Sequence, residues 1–384
     1  MLSSSRADAS PVIVDARRTA IGTAGRSFAT VTAADLAAPV LAALHSQLPP
    51  HLGAGRDGVL GNCMGPGGDV ARVAALAAGL PVEVPALTVD RQCGSGLAAI
   101  TLAEATLRNE PGVVLTGGVE SASTAPWRFW PPEGDDAPVR YERAPFAPET
   151  SGDPDMGLAA DLLAEEAGVS RARQDAYAAR SHARAAAALA GGVFEAETVP
   201  VARVTRDDRP RDGLTVERLA RLRPAFRPTG TVTAGNSCGV NDGAAAVTMV
   251  DAPTHAALRV PGLRVLASAT AGVDPNRPGL GIVPAVRIAL DRAGLTLADM
   301  DVVELNEAFA GQVLACCDAL GLDERAVCAD GGALALGHPW GASGAILVVR
   351  LFSQLVRRSR GRFGLAAIAV GGGQGVAMVV ERCR

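Results

Sequence analysis

The sequence predicts an α/β protein made of two copies of one strand–helix unit. Three observations carry the prediction. Short apolar, β-branched segments alternate with longer helical ones, the pattern of a parallel sheet covered by helices on its faces. The order small-Ser-Gly, helix, apolar strand, Gly-Gly occurs twice, near Ser95 and near Ser343. A long stretch of different composition separates the two copies.

Taken in order, Val12–Val14 is a β-branched strand that leads through Arg18 and Gly22 into a loop. Ala33 to Leu48 places Leu36, Val40, Leu41 and Leu44 at helical spacing and stops at Pro49-Pro50. Ala86–Val89 is an apolar strand ending in Asp90-Arg91-Gln92-Cys93-Gly94-Ser95-Gly96, a strand-to-helix turn, and Leu97 to Leu107 continues as a helix. Val113–Thr116 is a buried strand closed by Gly117-Gly118. In the second copy, Gly341-Ala342-Ser343-Gly344 opens a helix over Ala345 to Val356, and Leu365–Val370 is a strand closed by Gly371-Gly372-Gly373. The duplication predicts two helix N-termini facing one cleft. Between the copies, Glu120 to Asp155 is rich in Pro, charge and aromatics, Asp161 to Ala190 reads as Ala-rich helices, and Arg203 to Pro228 is highly charged. Such an excursion suits a substrate-binding lobe or subunit contacts.

Composition sets the class. A chain of 384 residues calls for two packed halves, and 48% hydrophobic with 20% charged residues is that of a folded protein. No apolar run approaches the ~18–20 residues that span a bilayer. Met1 to Pro11 is polar, without the apolar core of a secretory signal, and reads as a frayed terminus. The net charge of -4 and scattered arginines give no attraction for nucleic acid. All 36 basic residues are Arg, so any phosphate recognition uses Arg or backbone N–H groups. Seven Cys with no C-x-x-C pair exclude a disulfide framework or zinc site, and point to a reduced, cytoplasmic protein with no metal.

Two turns carry chemistry. Cys93 sits where a strand ends and a helix begins, where helix N–H groups lower a thiol's pKa and small neighbours admit a substrate. His338, in Leu336-Gly337-His338-Pro339, holds the mirror position before the second Gly-rich helix start. A base facing a thiol across a cleft is the arrangement that activates a nucleophile. Asn306, in Glu304-Leu305-Asn306-Glu307-Ala308-Phe309, reads as a helix N-cap, or as an amide that hydrogen-bonds a thioester oxygen.

These residues resemble the thiolases, which make or break 3-ketoacyl-CoA thioesters. The resemblance rests on Arg91-Gln92-Cys93-Gly94-Ser95-Gly96-Leu97, Asn306-Glu307-Ala308-Phe309-Ala310, Gly331-Gly332-Ala333-Leu334-Ala335-Leu336-Gly337-His338-Pro339 and Gly371-Gly372-Gly373-Gln374-Gly375. Leu222-Arg223-Pro224-Ala225-Phe226 and Gly230-Thr231-Val232-Thr233-Ala234-Gly235-Asn236 extend it. It implies a thiolase-like five-layer αβαβα fold from two duplicated halves with an inserted loop domain. The N-terminal half would be residues 1–119 plus about 241–258, the loop domain 120–240, and the C-terminal half 259–384. It also implies homodimers or homotetramers, coenzyme A thioesters as substrates, and no permanently bound cofactor. Cys93 would accept the acyl group and His338 keep its thiol reactive. Asn306, through a water, and His338 would form one oxyanion site, the N–H groups of Cys93 and Gly371 the other. Arg211 would lie beside the CoA adenine. Phe226, Ala234 and Cys238, with Met156 and Phe309, would line the pantetheine channel.

The sequence departs from the family at one decisive place. Where thiolases carry a second catalytic Cys before the final glycines, this chain has Ala369, which can neither take nor return the α-proton of the acyl-CoA nucleophile. Asp155 stands where many members have His, Cys238 where a small hydroxyl residue is usual, and Asp330 where Asn is usual. Trp340 is unusually bulky and would reshape the acyl pocket. Three readings follow: a thiolase whose missing base is supplied by another group, an acyltransferase from Cys93 to an amine, hydroxyl or decarboxylating nucleophile, or a non-catalytic CoA-binding scaffold.

Overall fold

The structure, a computed structural model, describes residues 10–53, 55–134 and 136–384. The polar start expected over Met1 to Pro11 therefore lies almost wholly outside the described residues. The strands are β1 (Val12–Thr19), β2 (Gly22–Thr23), β3 (Asp57–Gly61), β4 (Ala86–Val89), β5 (Val113–Ser121), β6 (Arg128–Trp130), β7 (Val139–Tyr141), β8 (Thr198–Val199), β9 (Asn241–Val250), β10 (Gly262–Gly272), β11 (Val302–Leu305), β12 (Phe363–Val370) and β13 (Gln374–Cys383). Helices of seven or more residues are α1 (Ala33–His45), α2 (Val70–Ala77), α3 (Ser95–Asn109), α4 (Met156–Glu166), α5 (Arg171–Ala190), α6 (Ala252–Leu258), α7 (Ile282–Ala293), α8 (Ala310–Leu320) and α9 (Trp340–Phe352).

The main sheet runs β11-β12-β13-β10-β1-β9-β5-β3-β4, with β2 on β9 and β8 on β1; β6 and β7 form a separate hairpin. Helices α1 and α2 cover the outer face of the first half, burying Leu36, Leu44 and Val70 against Leu60 and Leu115. Helices α3 and α9 lie between the two halves and share one core with both. Helices α7 and α8 cover the outer face of the second half. Five layers result, αβαβα.

The sheet is mixed, which corrects the expectation of a parallel one. Within the first half β3 is parallel to β4 and β5, and within the second β11 is parallel to β12. Strands β1, β9, β10 and β13 run antiparallel to their main-sheet neighbours. Every residue of β9 is buried, so an antiparallel strand covered on both faces reads as the same unbroken apolar run as a parallel one. Gly117-Gly118 does not close β5 but lies inside it. A Cβ on Gly117 would sit 2.0 Å from the Ala245 carbonyl oxygen, and one on Gly118 2.0 Å from that of Gly341. The pair marks close approach, not a strand end. Helix α9 begins at Trp340, so Gly341 to Gly344 form its first turn, not its lead-in.

A buried chain of ion pairs ties the halves to the excursion between them. Arg18 of β1 donates to both carboxylate oxygens of Asp207, at 2.7 and 3.0 Å, and to Glu197 at 2.8 Å. The other oxygen of Glu197 accepts from Arg350 of α9 and from Ser353, and Arg350 continues to Asp330. Both guanidinium groups stack on Phe194. Asp330, for which the sequence offered no consequence, also accepts from Arg358 at 2.7 Å and fixes the segment leading to His338. Removing one member leaves buried charge unpaired, which costs about 3–5 kcal/mol. Glu197→Ala is accordingly expected to lower unfolding stability by about that much in urea titrations; a loss below about 1 kcal/mol, the range of exposed pairs, would show that the chain does not hold the halves together.

Candidate active site

Cys93 lies in a turn held by its own hydrogen bonds. Gln92 takes a left-handed backbone (φ 45°), and the Asp90 carboxylate accepts from its N–H at 2.7 Å. The Ser95 hydroxyl accepts from the Arg91 N–H at 2.7 Å and donates to the Gln92 carbonyl at 2.6 Å. This locked corner fixes the backbone of Cys93 just before α3, with the strain that reactive turns carry. Gly94 abuts the end of β12 and the start of β13: a Cβ there would meet Val370 at 2.7 Å and Val376 at 3.1 Å. Gly371 follows Val370, and the backbone N–H groups of Gly371 and of Cys93 itself both reach the Cys93 sulfur.

His338 comes from the corresponding turn of the second half and is fully enclosed. The Ser343 hydroxyl donates to the Pro339 carbonyl at 3.0 Å, so at 2.6 Å from His338 Nδ1 it accepts. Nδ1 therefore carries the proton and Nε2 the lone pair. Asn306 Nδ2 lies 3.4 Å from Nε2 and points its N–H there. The Asn306 backbone N–H is fixed to the Ala367 carbonyl at 2.9 Å. Asn306 is not an N-cap, as the sequence suggested: the helix opens three residues later, at Ala310, with Phe309 as its cap. Glu307 instead braces the segment, accepting from Tyr177 at 2.8 Å, Ser181 at 2.7 Å and the Leu334 N–H at 3.2 Å.

Burial sets the charge states. It pushes the Cys93 thiol up to about 12, with Cys238 adding to the rise and the N–H groups of Cys93 and Gly371 opposing it. The expectation of a lowered thiol pKa is thereby corrected: the helix cap is Gly94, one residue past Cys93, and desolvation outweighs the helix end. Burial lowers His338 to about 4, so its ring is neutral at ordinary pH.

The segment 236–241 forms the wall between Asn306 and His338. Cys238 donates its N–H to the Ala308 carbonyl at 2.9 Å, Ser237 pairs with Phe309, Val240 pairs with His338, and the Asn241 side chain accepts from the His338 N–H at 2.9 Å. Phe226 meets Phe309 edge-on at 6.1 Å and lies so close to Gly157, next to Met156, that a Cβ there would sit 2.2 Å from its ring. Phe226 thus links the start of α4 to Phe309, and Cys238 is tied to the residue before Phe309. Ala234 is exposed just outside the turn, and Trp340 opens α9 partly buried. The exposed Arg211 donates its N–H to His182 Nδ1, on α5, at 3.3 Å. Asp155 caps α4, accepting from the Gly157 and Leu158 N–H groups.

Sequence reasoning missed three parts of this site. Ser343 was visible only as part of a repeat, although its place five residues after His338 is what sets the tautomer. Glu120 follows Gly117-Gly118, a strand-end signature that hid a buried carboxylate accepting from the N–H groups of Cys63, Met64 and Gly341 and pushed up to about 7 by burial. Phe146, one aromatic among several in a Pro-rich stretch, lies against Gly371 and Gly372 and covers that oxyanion position.

Known proteins resemble this chain over nearly its whole length. An acetyl-CoA acetyltransferase of Pseudomonas aeruginosa is 43% identical, with 97% of this chain and 99% of that protein aligned. A beta-ketoadipyl-CoA thiolase of Acinetobacter baylyi is 41% identical over 96% of this chain and 98% of its own. The crystal structure of the Bacillus anthracis acetyl-CoA acetyltransferase superposes with a TM-score of 0.89 at 36% identity, covering 98% of this chain and 99% of that one. The thiolase N-terminal domain matches residues 11–252 and the thiolase C-terminal domain residues 261–382, and the chain therefore belongs to the thiolase family.

Proposed function

We propose that this chain is an acyltransferase that carries acyl groups of CoA thioesters on Cys93, in thiolase-type condensation or thiolysis of 3-ketoacyl-CoA. The observations that support the reading are the N–H groups of Cys93 and Gly371 beside the Cys93 sulfur, the neutral His338 whose Nε2 lone pair faces the Asn306 amide at 3.4 Å, and the segment 238–240, which borders both. Thiol and imidazole are both neutral at rest, so the proton passes to Nε2 as Sγ attacks the thioester carbon, and it goes on to the CoA sulfur as the C–S bond of the donor breaks and CoA leaves as its thiol. The N–H groups of Cys93 and Gly371 hold the oxyanion that forms. Asn306 and, once protonated, His338 face the second carbonyl oxygen. Relatives with the printed names acetyl-CoA acetyltransferase and beta-ketoadipyl-CoA thiolase support this chemistry.

A second reading rests on Ala369. It lies two residues before Gly371 on β12, opposite Gly375, where the family resemblance expects the second catalytic Cys. A methyl group moves no proton, so transfer from Cys93 to an amine, hydroxyl or decarboxylating nucleophile needs nothing that is missing. Residues 120–240 act as the CoA-binding lobe in either reading, with Arg211 toward the adenine. The chain assembles as a homodimer or homotetramer: β4 is an open sheet edge with Leu87 exposed, and the β6–β7 hairpin presents Trp127, Phe129 and Trp130 to solvent. No described helix is long and apolar enough to cross a membrane, and the unpaired thiols fit a cytoplasmic enzyme.

Cleavage of acetoacetyl-CoA in the presence of free CoA tests the reaction, followed as loss of the 3-ketoacyl absorbance. Turnover that disappears in Cys93→Ala supports thiolysis; an acetyl adduct formed on Cys93 from acetyl-CoA, with no cleavage of acetoacetyl-CoA, selects the second reading; absence of any adduct defeats both. Alkylation supplies a separate check on the resting state. With the thiol raised, the thiolate fraction grows with pH, so iodoacetamide labelling of Cys93 should accelerate roughly tenfold per pH unit between about pH 6 and 10. A plateau near neutrality would instead reveal a thiolate–imidazolium pair.

A further inference from the structure

We propose that Phe146 keeps water from the acyl–Cys93 thioester, so that the acyl group leaves by transfer to its acceptor and not by hydrolysis. The inference rests on the acyl-transfer reading above. An acyl group on Cys93 would have its carbonyl beside the Gly371 N–H, which reaches the Cys93 sulfur. Gly371 is buried although it stands just past the end of β12 with two further glycines behind it. Phe146 supplies the cover. A Cβ at Gly371 would lie 2.6 Å from ring carbon Cδ2 and 2.8 Å from Cε2, and one at Gly372 would lie 2.5 Å from the Phe146 carbonyl oxygen. A gap that admits no methyl carbon admits no water.

The ring is held in place. The Phe146 N–H donates to an Asp153 carboxylate oxygen at 3.3 Å, and Arg143 donates to the same oxygen at 2.8 Å. The Arg143 guanidinium lies over the ring, 4.5 Å from its centre. Phe146 is half-buried and Arg143 exposed, so the ring stands between the glycine turn and solvent. Cap and turn also share one anchor. Val273, after β10, donates its N–H to the Gly373 carbonyl at 2.7 Å. Asn276 of the same loop donates to the Ser151 carbonyl at 3.0 Å, two residues before Asp153. Such a cap answers a chemical need, because the donors of the site do not discriminate. The N–H groups of Cys93 and Gly371 and the base at His338 would serve a water as they serve the CoA thiol. The water oxygen would bond the acyl carbon, its proton would pass by Nε2 to Sγ as the C–S bond breaks, and a carboxylic acid would be released. Enclosure of the intermediate suppresses that loss.

The test times the two fates of the adduct. Acetyl-Cys93 would be formed with acetyl-CoA, freed of CoA by rapid gel filtration and followed by intact-protein mass spectrometry, with Cys93→Ala as the blank. Loss in buffer alone reads hydrolysis; loss on adding CoA back reads transfer. The wild-type adduct is expected to outlive the same adduct in the urea-unfolded chain, at equal pH, by about tenfold or more. The ratio of hydrolysis to transfer should rise about tenfold in Phe146→Ala, and by less in Phe146→Leu, which fills part of the space. The comparison within the wild type needs no variant to fold. A native adduct lost as fast as the unfolded one, or a ratio unchanged in Phe146→Ala, would overturn the assignment. So would an equal fall of both rates in Phe146→Ala, since the ring would then serve only to hold the Gly371 N–H in place. No adduct from acetyl-CoA would defeat the acyl-transfer reading and this proposal with it.

Discussion

Close contact between two helix starts is the constraint on which the rest depends. A Cβ on Gly96 of α3 would lie 2.8 Å from the Gly341 carbonyl oxygen, and one on Gly344 of α9 2.5 Å from the Leu97 nitrogen. Gly118 of β5 approaches Gly341 from the other side. No side chain larger than hydrogen fits between these backbones without displacing one of them. Because the helices touch at their N-terminal turns, the loops feeding them converge, and those loops carry Cys93 and His338. Glu120 clamps the same junction by accepting from Gly341 on one half and from Cys63 and Met64 on the other. Duplication of the fold thus serves the proposed chemistry: each half supplies one member of the nucleophile–base pair proposed for it.

Enclosure at that junction then decides the electrostatics. A helix N-terminus favours an anion by about 0.3–2 kcal/mol, and less at a residue outside the first turn. The rise of the Cys93 thiol from 9.0 to about 12 corresponds to roughly 4 kcal/mol against the thiolate. Desolvation wins. On the proposed reading the site suits charge that develops during reaction and not charge stored beforehand: the N–H groups of Cys93 and Gly371 lie by the sulfur, and Ser343 and Asn306 hold the imidazole with its Nε2 lone pair toward the Asn306 amide. Preorganised dipoles act most strongly where charge appears only in the transition state.

Much of this was legible in the sequence, and the failures have physical causes. Repetition of the strand–helix grammar revealed the duplicated halves, and the two Gly-bracketed turns singled out Cys93 and His338. Strand direction was not legible, because β9 and β13 are covered on both faces and read like parallel strands. The glycines at 117 and 118 misled because a glycine that ends a strand and one that admits a neighbouring backbone look alike in one dimension. Asn306 was misread as a cap because Asn followed by Glu is a helix-start signal, whereas the helix waits until Ala310. Contacts between residues far apart in the chain, such as Glu197 with Arg350 or Arg209 with Gly239, leave no local trace at all.

The architecture also separates two half-reactions. Acyl transfer, as proposed, draws on backbone donors and on side chains set in the two turns beside the helix junction, so its parts are spread over several elements. Proton transfer at the α-carbon, in the family pattern, depends on one side chain at the end of β12. Ala369 sits there partly buried, facing only Gly375 in the ladder, and its methyl group packs where a thiol would. Exchanging sulfur for hydrogen at that place leaves the strand, the Gly371 N–H and the Cys93 turn as they are. A chain of this fold can therefore shed carbon–carbon chemistry through a single position while keeping the acyl-carrying machinery whole, and the intact set of Cys93, His338, Asn306, Ser343 and Gly371 beside Ala369 is the arrangement such a division produces.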